Sequence, residues 1–236
     1  MWDVADICAD VTAGDWLRDR VSQSHWATVG SLVPPTFDSY CRILHPPRTG
    51  EGGWTRWSTV AQETGAAIHP TVEWAAITNG RGRSGGGGTV WAESPERGEL
   101  VVEQRATLAD VVAAHTTTPD DCWFAVWEGQ SFVGVDRAGP RVCLPGRNHY
   151  LFHGRVADVR KDFQGHGPSL WWPADRAWVV ASDVDLTATY IGCSHECADQ
   201  LLRSADLEVV STEPNNSVTW DSDTINPLPR PPHAGG

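Results

Sequence analysis

The spacing of apolar positions predicts helices in the first half of the chain. The clearest helix begins at Thr36, and its apolar residues recur at the i, i+3, i+4 and i+7 intervals of one helical face: Phe37, Tyr40, Cys41 and Leu44. The paired prolines that follow would end this helix, because proline cannot continue one. Three more helices are predicted over 15–24, over 57–65 and, with Thr107 as the N-cap, over 107–115.

Beyond residue 120 the pattern changes to short aromatic and β-branched runs, which are typical of strands. Four such runs follow one another: Cys122 to Trp127, Ser131 to Asp136, Arg141 to Leu144 and His149 to His153. The longest strand signal covers 177–191, and a turn at 183–187 would divide it into a hairpin. Short helices are predicted near 155–163 and over 195–204, and a last strand from Leu207 to Val210.

Helices first and hairpin-spaced strands afterwards predict an α+β protein rather than a wound parallel sheet. The expected architecture is a set of N-terminal helices followed by a mainly antiparallel, Trp-rich sheet with one or two packed helices. We expect a single domain over 1–214 with a glycine-rich loop at 80–88, and a disordered, proline-rich tail over 215–236. The glycine run would equally suit a linker, so a domain boundary at 80–88 stays open.

Tryptophan is the most unusual part of the composition. The chain has 13 Trp, against 5 Phe and 3 Tyr. One fully buried indole contributes about 4–6 kcal/mol before entropy is counted, and its N–H needs an acceptor. The clusters therefore indicate either an aromatic core or a recognition surface, and the sequence leaves both open.

The charge of the chain narrows its partners. A formal charge of −12 disfavours nucleic-acid binding, because phosphates attract basic surfaces, whereas a basic protein partner stays possible. No apolar run has the length of a transmembrane helix, and the N-terminus lacks signal-peptide features, so we expect a cytoplasmic protein that does not bind membranes. In that compartment the 6 cysteines would be free thiols.

Two histidine and cysteine groups suggest metal binding at first sight. In Cys193-Ser-His-Glu-Cys197, Ser194 would cap the following helix and Cys197 would join its buried face, which favours core packing. A reactive thiol near the helix N-terminus is the alternative. His149 and His153 would share one face of a strand about 13 Å apart, too far for one ion. We therefore predict no metal site.

Catalytic motifs are weak. Asp183 and Asp185 resemble an acid–base pair, but their alternation with apolar residues is typical of the solvated face of a strand. Gly80, Gly82 and Gly85 match G-x-G-x-x-G without the preceding strand or following helix that phosphate binding needs. No nucleophile elbow, P-loop lysine or H-E-x-x-H is present. We predict no cofactor, and whether the protein is an enzyme stays open.

Two Trp blocks are the candidate binding region. The run 122–127 is apolar on both faces, which predicts a strand covered on both sides. In the block 170–178, an Asp–Arg pair stands beside indole rings, and Arg and Trp are enriched at binding hot spots. Core packing is the alternative for both blocks. The predicted binding residues are Trp123, Trp127, Glu128, Trp171, Trp172, Asp175, Arg176 and Trp178.

These blocks also carry a family resemblance. The segments 30–46, 122–129 and 171–178, with 183–185 and 189–192 after them, are similar to a group of mostly actinobacterial, Trp-rich cytoplasmic proteins; this resemblance implies no activity. The chain also resembles the SUKH immunity proteins, in which a Pro-led helix ahead of an aromatic α+β sheet binds toxins. Pro35 to Leu44 would be that helix, although prolines replace the Asn-Gly-Gly turn expected after it.

Two functional hypotheses follow, from different classes. The first is a non-enzymatic, protein-binding module of immunity or accessory type, whose acidic, Trp-lined surface engages a basic protein. The second is an enzyme or small-molecule binder with a Trp-walled pocket, whose convergent polar groups would be Asp175, Arg176, Asp183, Asp185 and His153. A third possibility is a reactive-thiol protein that acts through Cys193 or Cys197.

Overall fold

One antiparallel sheet organises the molecule. The computed structural model describes residues 1–21, 27–79, 90–136 and 138–227, and in this part of the chain eight strands pair in the order β3-β4-β2-β5-β6-β7-β1-β8. The strands are β1 Ser39–Leu44, β2 Cys122–Trp127, β3 Val142–Leu144, β4 Arg147–Gly154, β5 Leu170–Pro173, β6 Val179–Ser182, β7 Ala188–Cys193 and β8 Val209–Thr212. Together with the helices, this sheet confirms the predicted α+β class.

Helices cover both faces of the sheet. The described α-helices are α1 Asp15–Arg20, α2 Trp57–Thr64, α3 Trp74–Ile77, α4 Val102–Ala113 and α5 His195–Leu202. Helices α4 and α5 pack on what we call the first face, together with a 3-10 turn at Val156–Arg160. Helices α1, α2 and α3 pack on the second face. The sheet is therefore the middle layer of three, which explains why its central strands are apolar on both sides.

Each face carries its own aromatic core. On the first face, Phe124 stacks on Trp171, whose ring meets Trp178 edge-on at 5.0 Å. On the second face, Trp57 and Trp74 meet edge-on at 5.2 Å. Edge-on indoles place the positive ring edge against the negative ring face, so this geometry adds to the burial energy.

The helix predicted to begin at Thr36 is wrong, because Ser39–Leu44 form strand β1. This strand lies between β7 and β8, with Cys41 and Ile43 buried on the first face and Tyr40 on the second. A strand buried on both faces is apolar almost throughout. Its apolar positions therefore fit helical spacing as well as strand spacing, and periodicity alone does not separate the two.

Other boundaries differ by smaller amounts. Helix α4 begins at Val102, so Thr107 lies inside it and its hydroxyl donates to the Glu103 carbonyl oxygen at 3.2 Å instead of capping the helix. The strand predicted over 131–136 is wrong, because this segment is a loop. The hairpin predicted within 177–191 is confirmed as β6 and β7, and the predicted helix after Ser194 is confirmed as α5.

Residues 215–227 differ from the disordered tail predicted from residue 215. Asp223 and Asn226 are 2% and 7% exposed. The Asn226 amide accepts from the N–H of Ala67 and donates to the Ala67 carbonyl oxygen, both at 2.9 Å. Asp223 Oδ1 lies 2.8 Å from Nε2 of His69. These side-chain hydrogen bonds, together with a short backbone pairing to residues 27–30, hold residues 215–227 on the domain, although the composition of the segment resembles that of a disordered one.

Some predictions lie outside the described residues. They concern the glycine-rich loop at 80–88 with its G-x-G-x-x-G match, and the tail at 228–236. The helix predicted over 15–24 is shorter, because α1 ends at Arg20 and Val21 is extended. Among the residues that are described, no helix has both the length and the apolar character needed to cross a lipid bilayer.

Candidate functional site

A cleft of about 520 Å³ opens on the second face of the sheet, where the β3–β4 turn approaches the β6–β7 turn. This volume is in the range of roughly 300–1,000 Å³ that is typical of small-molecule sites. Its polar side chains include Arg147, His149, Ser169, Ser182, Asp183 and Asp185. Its apolar side chains include Leu32, Leu144, Leu170, Ala181, Val184 and Leu186. We refer to it as the Arg147 cleft.

The β3–β4 turn places Arg147 at the rim of this cleft. Strands β3 and β4 form a hairpin in which Leu144 pairs with Arg147, so only Pro145 and Gly146 make the turn. Gly146 has φ +79°, a conformation that glycine adopts without a Cβ penalty. The proline fixes φ at the preceding position, so this pair of residues determines where strand β4 begins.

Arg147 joins the two turns through two carboxylates. Its Nε and Nη2 lie 2.8 and 2.9 Å from the two oxygens of Asp183, and Nη2 lies 3.1 Å from Asp185. The guanidinium also lies over the ring of Trp127, 4.8 Å from its centroid. The bidentate contact to Asp183 is the strong geometry for this kind of pair, and the indole holds the guanidinium from the side. The result is a fixed polar wall.

Trp127 occupies this position because of its neighbours in the sheet and along the chain. It pairs with His149 of β4, and its backbone N–H donates to Oγ of Ser169 at 3.3 Å. Its ring folds back over Gly129, where an added Cβ would overlap the ring carbons. Glycine at 129 is therefore required for the indole to lie where it does.

His149 is a buried imidazole in the lining of the cleft. The residue is 3% exposed, and its Nδ1 has no hydrogen-bond partner among the described residues. Burial lowers the pKa of His149 to about 4, and Arg147 acts in the same direction. The ring is therefore neutral at pH 7. A buried polar atom without a partner costs about 1–3 kcal/mol, so this nitrogen calls for an explanation.

Three of the predicted binding residues are core residues. Trp171, Trp172 and Trp178 are all nearly or fully buried. The Trp178 indole N–H donates to the Val112 carbonyl oxygen at 2.9 Å, which satisfies its only polar atom on the first face. Trp172 packs edge-on against Trp16 on the second face. For these three side chains the structure supports the core-packing alternative.

Three others lie at the opposite end of β6 from the Arg147 cleft. Arg176 lies over the ring of Trp16, 5.2 Å from its centroid. Asp175 accepts from the Thr117 backbone N–H at 2.6 Å. Partial burial opposes the shift, but hydrogen bonds of this kind hold the pKa of Asp175 below its ordinary value. Trp123 packs against the ring of His153 at 4.5 Å.

The predicted polar pocket therefore divides into separate groups. Asp175 and Arg176 precede β6, whereas Asp183 and Asp185 follow it. His153 pairs with Asp121 at 2.7 Å. Of the five polar residues proposed to converge, only the two aspartates after β6 reach the cleft.

Glu128 lies beside the cleft without lining it. It accepts from Arg141 at 2.5 Å and from the Asn148 amide at 2.7 Å. Partial burial opposes the shift, but these donors hold the pKa of Glu128 below its ordinary value. Of the two predicted binding residues at this end of β2, Trp127 lines the cleft, and Glu128 forms an ion pair with Arg141 beside it.

The cysteine cluster belongs to the core of the first face. Cys193 and Cys197 are 1% and 0% exposed. Hydrogen bonding to Cys197 and burial raise the pKa of Cys193, which disfavours its thiolate. No group of three potential metal-ligating side chains occurs among the described residues. Cys143 is the exposed cysteine in this part of the chain.

Sequence patterns indicated Trp127, Asp183 and Asp185 but missed other residues of the cleft, above all Arg147. Arg147 and Leu144 flank the Pro-Gly turn, and this turn was the available signal for a hairpin with a polar residue at its edge. For His149 the sequence argued against a metal shared with His153 and gave no signal that the ring would line a cleft. Comparison of the chain with protein-family models, with curated proteins and with solved structures finds no match.

Proposed function

We propose that this protein binds a small organic molecule in the Arg147 cleft. The observation that carries the proposal is a cleft of ligand-binding size whose lining combines apolar side chains with the buried imidazole of His149, whose Nδ1 has no partner among the described residues. Polar atoms inside proteins are rarely left without a partner, and one that lies in the lining of a cleft is explained by a ligand that completes its hydrogen bonding.

The Arg147–Asp183 pair supports the same function. Both residues are largely shielded from solvent, and the bidentate contact fixes their positions before any ligand arrives. A preorganised polar wall lowers the entropy cost of binding, because few side chains need to be ordered. This proposal concerns binding, and it assigns no chemical step to the cleft.

Fluorine NMR of the protein labelled with 5-fluorotryptophan tests this proposal. Trp127 lines the cleft, and its resonance is assigned by comparison with the Trp127→Phe variant. We expect at least one of four probes, benzyl alcohol, toluene, benzylamine and benzoate, to shift the Trp127 resonance in a saturable way. The resonance of Trp54, which is 38% exposed and does not line the cleft, reports unspecific binding in the same spectrum.

A pair of variants on strand β3 provides the matched control. Leu144 lines the cleft, whereas its neighbour Cys143 is exposed and does not. We expect Leu144→Trp to fill the cleft and abolish the probe-dependent shift, and Cys143→Trp to retain it. If no probe moves the Trp127 resonance in the wild type, the proposed function is wrong.

A protein-binding module is the second candidate, and a different observation favours it. Trp220 and Ile225 are 71% and 63% exposed in the C-terminal segment, and exposed tryptophan is a frequent hot spot in interfaces. The formal charge of −12 would select a basic partner, as in an immunity or accessory protein of the cytoplasm.

Affinity capture with surface variants tests this second candidate. We expect a basic protein to bind the wild type and to be lost from a Trp220→Ala, Ile225→Ser variant. Val133, which is 77% exposed in a different loop, supplies the control Val133→Ser, which should retain the partner. Equal capture by all three proteins would contradict a contact at this segment.

A further inference from the structure

The ion pairs of the Arg147 cleft disfavour an anionic ligand. The fork of Arg147 is already engaged, with two contacts to Asp183 at 2.8 and 2.9 Å and one to Asp185 at 3.1 Å. A carboxylate or phosphate would have to replace one of these partners. It would also meet the surplus negative charge of the second aspartate, since the described lining holds one basic and two acidic side chains.

The same groups disfavour a cationic ligand. An ammonium group would be attracted to the face of Trp127, but the guanidinium of Arg147 already lies there, 4.8 Å from the ring centroid. The remaining carboxylate, Asp185, is 75% exposed, where water and salt screen its attraction. Arg147 and Asp183 are paired with each other, and the surplus negative charge lies on the exposed Asp185, so the described lining offers no unpaired buried charge to an ionic ligand.

His149 supplies the hydrogen-bonding group for such a molecule. Its ring lies in the lining between apolar neighbours, and no described residue satisfies Nδ1. A half-turn of the ring about its Cβ–Cγ bond exchanges the positions of nitrogen and carbon atoms, so that the imidazole offers a donor or an acceptor at either edge. Leu144 and Leu170 in the same lining offer contacts to an apolar body.

We propose that the ligand of the Arg147 cleft is an uncharged molecule with an apolar body and a hydroxyl or amide group that hydrogen-bonds to the imidazole of His149. This inference rests on the proposed function and adds the chemical class of the ligand. In it, Arg147 and the two aspartates exclude acids and amines, and His149 selects among neutral molecules.

The four probes named above separate these properties, because they share one aromatic ring and differ in charge and polarity. In the wild type we expect benzyl alcohol to bind more tightly than benzylamine and benzoate. The affinity ratio of benzyl alcohol to toluene should fall about 2–10-fold in His149→Phe, which corresponds to one hydrogen bond. His153→Phe should keep the ratio, because His153 lies on the same strand outside the cleft.

A second variant keeps the charge argument testable if His149→Phe does not fold. Asp185 is largely exposed, and Asp185→Asn should strengthen benzoate binding relative to benzyl alcohol. Tighter wild-type binding of benzoate or benzylamine than of benzyl alcohol overturns the proposed ligand class and leaves the cleft as a binding site. An unchanged alcohol-to-toluene ratio in folded His149→Phe overturns the role of His149. The absence of any Trp127 shift overturns the proposed function itself.

Discussion

Single buried residues account for much of the chemistry of this fold, and His45 is the best example. Its ring is fully buried, with Nδ1 2.9 Å from the Glu96 carbonyl oxygen and Nε2 2.9 Å from Oγ1 of Thr189. Its own carbonyl oxygen accepts from the indole N–H of Trp57 at 2.7 Å. Burial lowers the pKa of His45 to about 4. The residue therefore joins a loop, a strand and a helix, and its burial favours the neutral form of the ring.

Acid should destabilise the protein through His45. Because the pKa is lower in the folded state than the ordinary value of 6.5, the unfolded chain binds a proton first. Stability is therefore lost as the pH falls from about 6.5 toward 4, by about 2 kcal/mol between pH 7 and pH 5 for one such histidine. Urea unfolding at both pH values measures this. The loss of stability should be smaller in His45→Gln. It should be unchanged in His153→Gln, because the His153 side chain is exposed. Equal losses in the wild type and both variants would contradict the role of His45.

Gly129 is a second example, because the absence of a side chain there determines the position of the Trp127 ring. An added Cβ would overlap the ring of Trp127, so Gly129→Ala should displace the indole from the cleft and destabilise the fold by about 1–3 kcal/mol. The fluorine resonance of Trp127 and urea unfolding measure both effects. Gly50→Ala is the control, because a Cβ there meets no atom within 4 Å. If Gly129→Ala does not shift the Trp127 resonance, the ring of Trp127 does not lie over residue 129.

At the scale of elements, the C-terminal segment is the least expected part of the structure. Its described residues form no helix or named strand after β8, and they are held by a short backbone pairing with residues 27–30 and by side-chain hydrogen bonds. Asp223 accepts from the N–H of Glu73 at 3.1 Å, and Ser222 donates to the Thr71 carbonyl oxygen at 3.1 Å. Through these hydrogen bonds the segment holds the loop before α3 against the second face of the sheet.

Removing the side-chain hydrogen bonds of Asn226 should lower the stability of the protein by a measurable amount. Asn226→Ala deletes both hydrogen bonds to Ala67 and removes a donor from the buried carboxylate of Asp223, so we expect a loss of about 1–3 kcal/mol in the free energy of unfolding. Its neighbour Ile225 is 63% exposed, and Ile225→Ser should stay within about 0.5 kcal/mol of the wild type. Denaturant unfolding compares Asn226→Ala with Ile225→Ser. Equal stabilities of the two variants would contradict a stabilising role of the Asn226 side chain.

At the scale of the whole molecule, a single sheet separates two apolar cores. Trp171 and Trp172 are consecutive residues of β5, and they enter different cores. Strand β1, inserted between β7 and β8, brings the first half of the chain into a sheet otherwise built from the second half. Neither core is complete without the shared layer.

The two cores should consequently unfold together. Trp172→Ala truncates the second core and Trp178→Ala the first, and each should cost about 3–5 kcal/mol. Far-UV circular dichroism and tryptophan fluorescence should report one coincident transition in the wild type and in each variant. Two separated transitions in either variant would show that the cores are independent units.

The sequence determined those elements whose signals are local. A strand at 122–127 followed from a run that is apolar on both faces, and α5 followed from its cap, Ser194, which accepts from the Cys197 N–H at 3.3 Å. The hairpin of β6 and β7 followed from polar turn residues between two apolar runs. Such signals act within a few residues, so they do not depend on what packs against them.

Only the tertiary structure decided the identity of β1, the course of the C-terminal segment and the composition of the cleft. Residues 39–44 are a strand because β7 and β8 pair with them, and a sequence pattern contains no partner. Arg147 meets Asp183 and Asp185 across a separation of 36 and 38 residues. Charge, burial and hydrogen bonding act through space, whereas periodicity acts along the chain, and for that reason the candidate site emerged only from the folded molecule.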